Sequence, residues 1–283
     1  MAARGGSNRR DRRARAIIVW KEMARMNRNR WMGAFLLGCF PAMVATVLSL
    51  TACAGSSTFD HAAWEALLQR HVQDRSVDYA AIKKDPDFER YLRQLVRARP
   101  NQLQDNDERL AFWINAYNAS VVSGVLRRYP IKSVMDDRQF FKKEEHNIGG
   151  KLYSLDGIEK GLIRKEFGEP RVHFALVCAS RGCPPLPSEA FAAAQLEGQL
   201  DAAAEQYIGD PHYNRFNVSG KSVSLSRIFK WYEHDFGGFT GVLDFIAAHT
   251  SAENQNLLKV RGLTVDYLNY DWSLNGTESP AGK

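Results

Sequence analysis

Arg171-Val172-His173-Phe174-Ala175-Leu176-Val177-Cys178-Ala179-Ser180-Arg181-Gly182-Cys183-Pro184-Pro185-Leu186 concentrates the chemistry of this 283-residue chain. Val172 to Val177 is a short, uninterrupted apolar run and reads as a buried strand. It carries His173 near its start and empties into a turn holding Cys178, Ser180, Arg181, Gly182 and Cys183. Pro184, Pro185 and Pro187 stop further pairing, since proline offers no N–H to a ladder. Reactive side chains where a rigid element gives way to a loop are a common way to build a site.

Upstream, Asp105–Tyr129 is the strongest helical pattern. Asp105 or Asn106 caps it, and Glu108 follows in the first turn. Leu110, Ile114, Tyr117, Val121 and Val125 form one stripe. Phe112, Trp113, Ala116 and Val122 widen it, so the helix is expected to be buried on most sides. Asn115 and Asn118 lie three apart, on one face. Their buried amides need partners, either in a network tying the helix to a loop or in orienting a reacting group. Phe59–Val72 has helical spacing, and Val77-Asp78-Tyr79 is a short link. A second helix runs to Arg99 from a cap at Asp85 or Asp87, with Phe88, Leu92, Leu95 and Val96 inward and Pro100 beyond it.

Between these helices and the central block, Asn147 to Tyr153 is expected to form a hairpin around Gly149-Gly150. Ser154 or Asp156 then caps a helix to Phe167, ended by Gly168 and Pro170. Glu159 and Arg164 belong to it, and Glu159 is an ion-pair partner or a catalytic acid. Downstream, Ser188 caps a helix to Ile208. Phe216–Val218 and Ser222–Leu225 form a second hairpin. Ser226 caps Arg227–His234, with Trp231 and Tyr232 in the core and Asp235 at its end. Val242–His249 is a further helix, Leu263–Leu268 a last strand, and Trp272 packs back on the domain. The fold class is α+β: a mainly helical single domain around a small antiparallel or mixed sheet.

Charge separates the chain into two parts. The whole carries 38 Lys+Arg against 32 Asp+Glu, a net +6. Residues 1–52 alone hold ten bases and two acids, so the remainder is slightly acidic. The basic balance belongs to the leader and gives no reason to expect nucleic-acid binding, which needs a basic patch on the folded part. Met26-Asn27-Arg28-Asn29-Arg30 is a basic segment before the uncharged apolar run Trp31–Leu50. Leu50-Thr51-Ala52-Cys53 resembles a bacterial lipobox, in which small residues precede a cysteine that takes a lipid. A membrane-spanning anchor is the alternative, since the run is long enough to cross a bilayer. The expected organisation is a leader over 1–52, a linker over 53–58, a domain over 59–275 and a tail over 276–283. Lipidation at Cys53 implies a periplasm-facing protein held at the outer membrane by its acyl chains.

Five ordered blocks resemble the DUF547 family, which is named for its unknown function. They are Phe112–Asn118, Ile158–Arg164, His173–Pro185, Ile228–Phe236 and Tyr270–Asn275. The resemblance spans Phe59 to Asn275 and implies no particular activity.

The residues leave three chemistries open. Cys178 and Cys183 form a disulfide, the default for neighbouring thiols in an oxidising compartment. Or one of them is a nucleophile with His173 as base, Glu159 or Asp235 as carboxylates nearby and an asparagine behind. Or His173 and the thiols hold a metal, although their spacing matches no familiar ligand pattern. No glycine-rich phosphate loop, Gly-x-Ser-x-Gly or His-Glu-x-x-His is present. No cofactor and no metal is expected. The expected function is binding of an envelope-derived or peptide-like ligand between the Asn115/Asn118 helix and the His173–Cys183 segment, with Trp113, Ser180, Arg181 and Asp235 as further contacts. The alternative is a cysteine-dependent hydrolase or acyl transferase using Cys178 or Cys183 with His173.

Overall fold

The computed structural model describes residues 58–103 and 105–277. The leader, the lipobox cysteine Cys53 and most of the 276–283 tail lie outside the described residues. No helix among the described residues is long and apolar enough to cross a membrane.

In chain order the elements begin with α1 (Ala62–His71), a small ladder of β1 (Val72–Gln73) and β2 (Ser76–Val77), α2 (Tyr79–Ile82) and α3 (Pro86–Arg97). Then come α4 (Asn106–Arg128) and the hairpin of β3 (Glu145–Ile148) and β4 (Lys151–Ser154). Next is a continuous helical stretch: α5 (Leu155–Ile158), a π-helical turn over Glu159–Ile163 and α6 (Arg164–Phe167). One-turn α7 (Val172–Ala175) precedes α8 (Leu196–Gly209), β5 (Arg215–Asn217) and β6 (Ser222–Leu225). The chain finishes with α9 (Arg227–Trp231), α10 (Phe239–Ala248), α11 (Ala252–Leu258) and β7 (Thr264–Tyr267). Helices dominate, and the strands form small sheets only: a mainly helical α+β fold.

Helix α4 organises the larger core. Asp105 caps it by accepting from the Asp107 and Glu108 N–H groups, at 2.7 and 3.1 Å. Every residue from Leu110 to Val125 is buried, Asn115, Asn118, Ser120 and Ser123 included, so the helix is enclosed on every side. Helices α1 and α3 cover part of it, their Trp64 and Tyr91 rings stacked at 5.6 Å. Val96, expected to face inward, is exposed, and Tyr91 takes the buried place. A second apolar cluster joins α8, the β5-β6-β7 sheet and helices α9 to α11. In that sheet β6 pairs antiparallel with β5 and parallel with β7.

The central stretch departs from its sequence reading. Val172–Val177 is a helical turn followed by extended chain. The Val172, His173 and Phe174 N–H groups donate to Glu169, Pro170 and Arg171 carbonyls, and Leu176 donates back to Val172. A short apolar run is equally consistent with a buried helical turn, and periodicity cannot separate the two. Burial on both sides explains the run: Val172, Ala175 and Leu176 join the α4 core, while Phe174 joins the second cluster. Two other expectations are corrected. Ser188 caps nothing; Ala193–Gln195 forms a 3-10 turn and α8 starts at Leu196. Trp231 is 45% exposed rather than core; it sits at the last position of α9 and packs on Tyr270 and Trp272. Helix α11 had no reading in the sequence at all.

Candidate functional site

The segment after α7 is pinned by α4. The Asn118 amide donates to the Ala175 carbonyl at 2.9 Å, and its oxygen accepts the Val177 N–H at 3.0 Å. Asn115 holds Phe191 in the same two-handed way, at 2.8 and 3.0 Å. Both amides are spent on backbone, so they position loops rather than meet a ligand. A buried backbone group left unpaired costs about 1–3 kcal/mol, which explains two asparagines inside a helix.

The turn that follows is held against the C-terminal strand-like segment. Asn275 donates to Ala179 at 3.0 Å, while Arg181 and Gly182 donate to Ser273 and Asp271, each at 2.8 Å. Gly182 is required by this approach: a Cβ would sit 2.9 Å from the Asp271 nitrogen. Ala179 has φ +60°, a left-handed conformation costing a non-glycine residue about 1–2 kcal/mol. Such strain persists only where surrounding bonds enforce it, and here it sits directly after Cys178.

Cys178 and Cys183 are free thiols. The Cys178 N–H donates to the Cys183 sulfur at 2.8 Å. The Cys178 Sγ lies 3.0 Å from Ser180 Oγ and 3.2 Å from Tyr270 Oη. Burial pushes this thiol up, but hydrogen bonds from Cys183, Ser180 and Tyr270 outweigh it and bring its pKa down to about 7. Cys183 moves the other way: burial and the neighbouring Cys178 charge push it well above the usual thiol value. Donors gathered around one sulfur stabilise its thiolate.

His173 sits under the Tyr232 ring, stacked at 3.8 Å, and its Nε2 is 2.8 Å from Asp235 Oδ2. Asp235 is gripped by Arg164 through both carboxylate oxygens, at 2.6 and 2.9 Å. The Arg164 hydrogen bond, more than the His173 contact, holds the Asp235 carboxyl down at about 2. Burial lowers His173 to about 4 despite that carboxylate, so the imidazole is neutral near pH 7. With Asp235 ionised, Nε2 carries the proton and Nδ1 is the basic nitrogen. Glu159, in the π-helical turn, accepts from Tyr232 Oη at 2.9 Å, and burial raises its carboxyl pKa. The widened turn is a familiar device at functional sites.

These groups share one cavity of about 260 Å³, lined by Glu159, His173, Cys178, Cys183, Tyr232 and Tyr270. No hydrogen bond joins His173 to either sulfur; they meet only across this space. Trp231 and Trp272, stacked at 5.7 Å, form an aromatic shelf on its wall, with Lys142 and Lys160 also lining it. Of the sequence-selected ligand contacts none lines this cavity: Ser180 and Asp235 stand behind Cys178 and His173, Asn115 and Asn118 are spent on backbone, and Trp113 and Arg181 lie elsewhere. Trp113 is buried, edge-on to Tyr153 at 5.4 Å. Arg181 is exposed and reaches the Leu274 carbonyl. Among the described residues no group of three or more His, Cys, Asp or Glu is arranged to hold a metal ion.

The site is built across chain segments from α4 to Trp272, and its centre falls inside a recognised family segment. Residues 100–208 match the family model described as a protein of unknown function, DUF547. They carry a DUF547 domain. The match contains the blocks Phe112–Asn118, Ile158–Arg164 and His173–Pro185, and hence Glu159, His173 and both thiols. Tyr232 and Tyr270 lie beyond the matched DUF547 segment yet line the cavity, and Asp235, also beyond it, backs His173. No curated protein matches the chain, and no solved structure does. Sequence reasoning assigned Tyr232 to the core and gave Tyr270 and Arg164 no role. The aromatic blocks around Trp231 and Trp272 were the available signal.

Proposed function

We propose that the DUF547 domain, completed by the chain through Trp272, binds a peptide-like or acyl ligand in the Cys178 cavity and acts on it as a cysteine-dependent hydrolase or acyl transferase. One observation carries this reading: a half-buried thiol ringed by donors opens into the same cavity as a neutral imidazole backed by an ionised carboxylate. Cys178, already substantially thiolate at neutral pH, needs no base beside it. Its sulfur attacks the ligand's carbonyl carbon, and the S–C bond forms as the leaving group departs. Glu159 lines the same cavity, and burial pushes its carboxyl toward the protonated form, so it is placed to pass a proton to that group. His173, through Nδ1, then takes a proton from the water or acceptor that releases the acyl group. Asp235 positions the ring and holds its tautomer. The Trp231–Trp272 shelf favours a ligand with an apolar or aromatic portion.

The test is acylation of the full chain by an activated ester, followed by peptide mapping. One acyl group on Cys178, released with time in the wild type and retained in His173→Gln, is the expected result. Equal labelling of the Cys178→Ala protein at other residues, with unchanged ester turnover, would end the reading. In that event the cavity remains a binding pocket, a role the exposed aromatic shelf also fits.

Anchoring is proposed on separate grounds, from Leu50-Thr51-Ala52-Cys53. Acyl chains on Cys53 would hold the domain at the bacterial envelope, facing the periplasm, and make envelope material its natural ligand. Expression with a labelled fatty acid should give a labelled protein that partitions into detergent. Cys53→Ala should lose the label; retention of label by that variant contradicts the proposal.

A further inference from the structure

We propose that Cys178 and Cys183 form a reversible dithiol–disulfide pair, in which Cys178 reacts with a hydroperoxide and Cys183 resolves the product, closing the cavity's nucleophile. It rests on the reading above only in taking Cys178 as the reactive thiol.

The geometry is local and preset. Cys183 donates its N–H to the Ser180 carbonyl at 3.2 Å, closing a turn that folds its side chain back over Cys178. The Cys183 sulfur thereby lies 2.8 Å from the Cys178 backbone nitrogen. A nitrogen is one covalent bond from its Cα, so that sulfur is at most about 4.3 Å from the Cys178 Cα. Disulfide formation needs the two Cα atoms within about 7 Å and the side chains turned together. The backbone is already tied at Ala179, Arg181 and Gly182 to the Asp271–Asn275 segment, so closing the bridge calls chiefly for rotation of side chains. The two sulfurs are also unlike. Cys178 is partly exposed to the cavity and surrounded by the Ser180 and Tyr270 hydroxyls. Cys183 is buried, reaches toward the Leu176 carbonyl at 3.9 Å, and is followed by Pro184 and Pro185. An accessible thiolate paired with a protonated partner thiol is the arrangement of an attacking and a resolving cysteine.

The chemistry balances in two steps. The Cys178 thiolate attacks the terminal peroxide oxygen; the O–O bond breaks, an S–O bond forms, and the departing alkoxide or hydroxide takes a proton. Cys178 is then a sulfenic acid, and the peroxide is reduced to an alcohol or water. The Cys183 sulfur attacks the Cys178 sulfur, the S–S bond forms, the S–O bond breaks, and water leaves with the Cys183 proton. An external dithiol restores both thiols by exchange.

Arg181 lies between the cysteines, so trypsin converts the bridge into a cross-link between Val172–Arg181 and Gly182–Arg215. Reduced full-length protein treated with stoichiometric hydrogen peroxide should yield that linked pair, and dithiothreitol should abolish it. Cys183→Ser should instead accumulate a dimedone-trapped sulfenic acid on Cys178. The wild type needs no substitution for its readout, so a misfolded variant leaves the test intact. Absence of the linked peptides in peroxide-treated wild type, with Cys178 unmodified or driven to sulfinic acid, overturns the proposal. A cross-link without any ester acylation would leave the redox pair standing and remove only the hydrolase reading; acylation without a cross-link would do the reverse.

Discussion

Iodoacetamide is expected to alkylate Cys178 with a pH midpoint near 7, and that midpoint should rise in Tyr270→Phe and further in the double variant with Ser180→Ala. An ordinary cysteine titrates near 8.5, so at pH 7 only a few per cent is thiolate. Burial alone would make Cys178 worse than ordinary. The hydroxyls of Ser180 and Tyr270, together with Cys183, reverse that sign and bring the thiol to about 7. Removing the two hydroxyls should therefore restore the burial penalty and lower the labelling rate at pH 7 by about tenfold or more. Mapping the Val172–Arg181 peptide isolates the signal from the chain's other cysteines. Cys183, pushed well above the usual thiol value, should stay silent near neutral pH. A midpoint at 8.5 or above in the wild type, or one indifferent to both hydroxyls, would show that the donors around the sulfur do not stabilise its charge.

How much of this was legible without coordinates depends on where the deciding contacts lie along the chain. Helix α4 was readable because its burial on every side and its Asp105 cap are written into consecutive residues. The β3-β4 hairpin was readable because Gly149 and Gly150 supply the positive φ values its turn needs. The meeting of Glu159, His173, Cys178 and Cys183 around one cavity followed from their crowding within the sequence, although the strand expected between His173 and Cys178 is a helical turn. That error came from burial on two sides, which erases the periodicity that separates helix from strand. Tyr270 and Arg164 had no local signal. Tyr270 reaches Cys178 across 92 positions, and Arg164 meets Asp235 across 71. Trp113 misled in the opposite sense, because a large aromatic on a broad helical stripe usually packs in the core, as it does here on Tyr153.

The largest stability effect should come from acid. Lowering the pH from 7 to 4 is expected to unfold the domain well before its carboxylates titrate in bulk, because buried histidines must take up protons. Burial holds His173, His146 and His61 each at about 4, against an ordinary 6.5. Each ring therefore binds fewer protons folded than unfolded between those values. Stability must rise with pH through that window and be lost as pH falls through it. His146 is the clearest case: its Nε2 is buried with no partner, and Arg127 and Arg128 add repulsion to the burial penalty. His173 is partly protected by Asp235, which stays ionised down to about 2, but burial still dominates and Arg164 opposes a second positive charge nearby. His61, bonded through Nδ1 to Tyr91 Oη at 2.7 Å, has only the Asp60 charge in its favour. A full shift of this size is worth roughly 3 kcal/mol per ring, against a typical domain stability of about 5–15 kcal/mol. Glu159 works in the other direction: its raised pKa makes its protonation on acidification favourable to the folded state. Asp107, likewise raised by burial, adds to this, but the three imidazoles are shifted further and set the sign. Urea midpoints measured at intervals between pH 7 and pH 4 should fall steadily, and His146→Gln, which removes one titrating ring, should flatten the decline. A midpoint constant across that range, or a slope unchanged by His146→Gln, would mean that these rings accept protons without opening the core.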